Sequence, residues 1–124
     1  MKTSILTTLL NKMQVMGYFC VGANTRWGTG HPDLSYGTPS GYHLPFTDEY
    51  LDYLAAAIEE ALVISGIDGF MVDWVWNPKD EARKGQWLPA EKMLFEKLTG
   101  QPFPGEDKLT PEARLAYERK AIDR

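Results

Sequence analysis

The chain reads as an α/β protein with parallel strands, a portion of a (β/α)8 barrel, and three observations predict it. Two short apolar runs, 15-VMGYFCVGA-23 and 67-IDGFMVDWVW-76, are separated by one long amphipathic helical stretch. That strand–helix–strand order implies a parallel pair joined by a right-handed crossover. The second run also carries a carboxylate, Asp73, at its carboxyl end, where barrel and open α/β enzymes place their chemistry.

The elements follow in order. Ile5, Leu6, Leu9, Leu10 and Met13 fall on one helical face, which predicts an amphipathic helix over about 3–13. Asn11 and Lys12 break the apolar run too early for a secretory signal with a cleavage site. A strand over about 15–22 follows, rich in aromatic and branched residues and closed by Gly22. Residues 24–46 carry glycines and prolines with no period of 2 or 3.6, and read as a long loop without regular structure. Such loops in compact domains tend to bind ligands, and this one holds Trp27, Tyr36, Tyr42, His31 and His43.

Thr47 is an N-cap, and Asp48 and Glu49 suit the positive end of the helix that it opens. Leu51, Leu54, Ile58, Ala61 and Leu62 form the apolar stripe of a helix over about 48–65, stopped by Gly66. The second strand covers about 67–76 and ends at Asn77-Pro78. Residues 79–87 read as a polar loop. Pro89 opens a helix over about 89–98, ended by Thr99-Gly100, and Thr110-Pro111 opens the last, over about 111–124. Glu91, Glu96 and Glu118 are expected on solvated helix faces. Two parallel strands cannot bury themselves, so the segment is expected to be an incomplete domain, its strand edges covered by the remainder of a barrel or by a homo-oligomer.

Composition narrows the function. A net charge of −4 and pI near 5.1 carry no nucleic-acid footprint. No run approaches the ~20 apolar residues of a membrane span. Cys20 is the single cysteine, so an internal disulfide and a cysteine-rich zinc site are excluded; it reads as a buried small hydrophobe. The histidines lack metal-ligand spacing to a carboxylate cluster, so no metal or other cofactor is expected. The compartment is left open.

On alternating geometry, Gly69, Met71 and Asp73 share one side of the second strand and Phe70, Val72 and Trp74 the other. With the second set packed on helices, Asp73 points into the barrel mouth, and a charge there implies solvation, hydrogen bonding or a function. The bland reading is a helix cap or an ion pair with a buried arginine.

The stretches 17-GYFCVGANTRW-27, 33-DLSYGTPSGY-42 and 48-DEYLDYLAAAIEEALVISGIDGFMVDWVWNP-78 together resemble the α-L-fucosidases of glycoside hydrolase family 29. The resemblance spans about residues 15–78. It places Asp73 at the catalytic nucleophile, Asp68 at the first acidic position of the strand, Trp76 at its closing Trp, and Glu59 or Glu60 at the helix acidic position. Met71 stands where the family has a Trp, and Gly66-Ile67 where it has a Pro. The resemblance implies a carbohydrate substrate and retaining hydrolysis through an Asp nucleophile. Tyr18, Trp27, His31 and Trp76 are expected to bind that substrate, with no acid/base residue assigned. The alternative is a non-catalytic carbohydrate-binding or degenerate barrel segment, in which Asp73 only hydrogen-bonds a sugar hydroxyl.

Overall fold

The structure, a computed structural model, describes residues 16–38 and 41–123. The helix expected over 3–13 lies outside the described residues. The chain is mixed α/β, with elements β1 (Met16–Cys20), α1 (Thr25–Gly30), a 3₁₀ turn (Pro32–Leu34), β2 (Tyr36–Thr38) and β3 (Gly41–His43). These lead to α2 (Asp48–Ser65), β4 (Gly69–Asp73), α3 (Asp80–Arg83), α4 (Pro89–Thr99) and α5 (Pro111–Ile122).

β1 and β4 pair in parallel, from Met16 opposite Gly69 to Cys20 opposite Asp73. α2 is the crossover between them, and its ends are those read from the sequence. The Thr47 side chain accepts a hydrogen bond from the Tyr50 N–H, and Gly66 closes the helix in the left-handed region at φ 62°. Gly100 closes α4 in the same way at φ 71°, and Thr110 caps α5 through the Ala113 N–H.

The described residues of the stretch 24–46 are structured, contrary to the expectation of an irregular loop. Asn24 caps α1 by accepting from the Trp27 N–H at 3.0 Å. β2 and β3 form an antiparallel hairpin, tied back to the end of β1 by Asn24 N–H to Tyr42 C=O and Leu44 N–H to Gly22 C=O. Its elements are three to six residues long, too short for a hydrophobic period to register.

The hydrophobic core does not lie on the parallel sheet. Val21, Trp27, Leu44, Phe46 and Tyr50, from the β1–α2 region, pack with Trp87, Leu94, Phe95, Tyr117 and Ala121 of the C-terminal segment. Residues 79–87 contribute to this core instead of forming a polar loop: α3 buries Arg83, and Trp87 is buried beside it.

Glu91 corrects the expectation of a solvated glutamate. It is fully buried and accepts four hydrogen bonds: from Arg83 Nε at 2.9 Å and Nη2 at 2.8 Å, from the Tyr36 hydroxyl at 2.6 Å and from the Tyr117 hydroxyl at 2.7 Å. The Tyr36 oxygen accepts in turn from the Leu88 N–H at 2.8 Å. One carboxylate thereby pins the β2–β3 hairpin to α3, α4 and α5. Helical periodicity could not find it, because a buried charge with its donors on three other elements looks like any exposed glutamate in sequence. Glu96 is exposed and Glu118 half-buried.

Both faces of β1–β4 are open among the described residues. Phe70, Val72 and Trp74, expected against helices, are 41–42 % exposed, while Tyr18 and Met71 on the other face are 53 % and 55 % exposed.

Candidate functional site

Paired residues of a parallel ladder project to the same side, so Tyr18, Cys20, Met71 and Asp73 share one face of the sheet. At its carboxyl end the Tyr18 hydroxyl donates to Asp73 Oδ2 at 2.7 Å. The Cys20 thiol lies 3.7 Å from the Tyr18 oxygen and donates to it. Asp73 Oδ1 accepts the Trp74 N–H at 2.8 Å. Cys20 is half-buried and joined to this cluster, which corrects its reading as a buried small hydrophobe.

Both oxygens of Asp73 are held by donors, and this stabilises the charged form. The Tyr18 hydroxyl first, and the Trp74 amide second, hold the Asp73 carboxyl below its ordinary 3.8. The same bond pushes the Tyr18 phenol up, with the Cys20 contact adding to it. Asp73 is therefore suited to act as a carboxylate, nucleophile or acceptor, and Tyr18 as a hydrogen-bond donor.

The backbone after Asp73 is bent in an unusual way. Trp74 has φ 58°, a left-handed conformation that costs a non-glycine residue roughly 1–2 kcal/mol. It turns the Trp74 N–H back onto the Asp73 carboxylate and its carbonyl onto the Gly22 N–H at 2.7 Å. A Cβ at position 22 would meet the Trp74 carbonyl at 2.5 Å and the Trp76 carbonyl at 2.8 Å. Gly22 is required by that close approach. Trp76 stacks on Trp74 with ring centres 5.2 Å apart, and the Lys79 ammonium sits 5.2 Å from the Trp76 ring centre. Asn77 then anchors the segment by donating to the Glu118 carbonyl at 3.1 Å.

The structure brings Tyr18 and Asp73 together, with Trp76 on the segment leaving β4. Trp27 and His31 belong elsewhere. Trp27 is buried, its ring stacked by His31 at 3.8 Å and neighboured by Tyr50 and Tyr53 at 5.0 and 6.0 Å. Nδ1 of His31 donates to the Trp27 carbonyl at 2.8 Å. These two residues line a separate cleft of about 570 Å3 with Arg26, Tyr53 and Glu60. Three of the glutamates downstream of Asp73 are engaged away from it: Glu91 with Arg83, Glu118 with Arg114 at 3.0 Å, and Glu96 with the Phe103 N–H at 3.1 Å. No family model, curated protein or solved structure matches the chain.

Proposed function

We propose that this chain is a segment of a (β/α)-barrel glycoside hydrolase, resembling an α-L-fucosidase, that works by retaining double displacement with Asp73 as nucleophile. The observation that carries the reading is the Asp73 carboxyl group at the carboxyl end of a parallel strand, held by the Tyr18 hydroxyl and the Trp74 amide. In such a mechanism the carboxylate attacks the anomeric carbon and a second acid protonates the departing oxygen. Water then releases the sugar. Tyr18 orients the nucleophile and, as water displaces Asp73 from the anomeric carbon, its hydroxyl donates again to the carboxylate that re-forms. The rest of the barrel supplies the acid/base group and covers the open sheet.

The test is a 2-deoxy-2-fluoro-fucosyl reagent applied to the protein that contains this chain, followed by peptide mapping. An adduct on Asp73 supports the reading, and an adduct on another residue refutes it. A second reading, carbohydrate binding without hydrolysis, draws support from Met71, exposed where the resembled family has an aromatic ring, and from glutamates engaged elsewhere. Asp73→Asn separates the two: a hydrolase loses turnover by roughly 10³-fold or more while still binding, whereas a binding module loses affinity.

A further inference from the structure

A second polar cleft, of about 450 Å3, opens between α3 and the start of α5, lined by Asp80, Arg83, Trp87, Glu106, Thr110 and Arg114 among others. Arg83 is 3 % exposed. Its Nε and Nη2 are occupied by Glu91, and its guanidinium carbon stacks 4.0 Å from the Trp87 ring centre. Its Nη1 is buried with no hydrogen-bond acceptor among the described residues. A buried donor left unbonded is disfavoured and calls for a partner.

What stands before that nitrogen is Asp80. Its Oδ1 lies 3.9 Å from Arg83 Nη1, too far for a hydrogen bond, and 2.7 Å from Arg114 Nη1; Oδ2 is 2.8 Å from the same Arg114 nitrogen. Arg114 is bonded through Nε to Glu118. The Asp80 side chain is 70 % exposed, so it reaches the two guanidiniums from the solvent side and satisfies only one of them. Glu106, the other carboxylate of the lining, is neutralised by Lys92 at 2.9 Å. The positive end of α5, a 12-residue helix, adds to the field at Thr110.

We propose that this cleft receives the oxyanion group of a small ligand, a carboxylate or a phosphate, between Arg83 and Arg114, and that Asp80 occupies the position in its absence. Binding swings the exposed Asp80 outward, lets a ligand oxygen reach Arg83 Nη1, and replaces Asp80 on Arg114. Paired guanidiniums at fixed spacing suit a planar or tetrahedral anion. The cleft shares no residue with the Tyr18–Asp73 pair, so its fate is independent of the glycosidase reading.

The test titrates the protein with inorganic phosphate and, separately, with acetate at constant ionic strength, following the Trp87 indole and arginine Nε–H signals by ¹H–¹⁵N NMR. Saturable shifts are expected in the wild type. Asp80→Asn is expected to bind about tenfold more tightly, since it removes one competing charge beside both arginines. Arg114→Gln, confirmed folded by its spectrum, is expected to lose the response. A response to phosphate alone or to acetate alone supports the site and identifies its ligand group. No gain of affinity in Asp80→Asn, no response to either anion, or an undiminished response in Arg114→Gln overturns the proposal.

Discussion

Replacing Glu91 by Gln isolates what the buried carboxylate contributes. The side chain keeps its shape, but one accepting oxygen becomes an NH₂ group. Oε1 receives Arg83 Nε and the Tyr36 hydroxyl, and Oε2 receives Arg83 Nη2 and the Tyr117 hydroxyl. Whichever way the amide is placed, its NH₂ faces an arginine N–H, and the 3 % exposed guanidinium is left without a counter-charge. Breaking one side of a buried ion pair costs about 3–5 kcal/mol, against a total stability of about 5–15 kcal/mol for a domain of ordinary size. A fall in melting temperature of roughly 10–20 °C is therefore expected. Urea unfolding followed by tryptophan fluorescence reads it directly, because Trp87 lies in the core beside Arg83. The exposed Glu96→Gln serves as the control and should shift stability by no more than about 0.5 kcal/mol. Adding Arg83→Met to the Glu91→Gln background should cost less than adding it to the wild type, since it removes the stranded charge. A loss below about 1 kcal/mol for Glu91→Gln, or full additivity of the pair, would refute the reasoning.

Other outcomes follow from the same contacts. Gly22→Ala should destabilise by about 1–3 kcal/mol, because two backbone carbonyls stand in the way of the new methyl, and it should shift the Trp74 and Asp73 NMR signals in the same spectrum. Tyr18→Phe should raise the Asp73 pKa toward its ordinary value by removing the first donor, read by ¹³C carboxyl titration; an unchanged midpoint would reject Tyr18 as the group that holds Asp73. Stability should fall at alkaline pH. Burial pushes Tyr50 up to about 12, while burial and the charge of Glu91 push Tyr36 and Tyr117 up further. The unfolded tyrosines release protons near 10 and the folded ones do not. Their contribution is thus whole below pH about 10 and declines above it, by about 1.4 kcal/mol per pH unit for each tyrosine until its folded pKa is passed. Urea midpoints at pH 9 and 11 check the sign.

Read alone, the sequence located the elements whose signals are local. The caps at Thr47 and Thr110, the glycine stops at Gly66 and Gly100, and the apolar alternation around Asp73 are each set by a few neighbouring residues. It also singled out Asp73, as a carboxylate ending an apolar run, and Tyr18, through the family resemblance alone; their hydrogen bond belongs to the tertiary structure. Periodicity did not reach the small hairpin and short helices of residues 24–46, whose hydrogen bonds are made to the end of β1. Nor did it show that Trp27 and His31 line a cleft to which Asp73 does not contribute. The standing of Glu91 and Arg83 was decided by tertiary structure alone. Burial of a charge depends on donors brought from 26 and 55 positions away along the chain, and no local pattern records a partner at that distance.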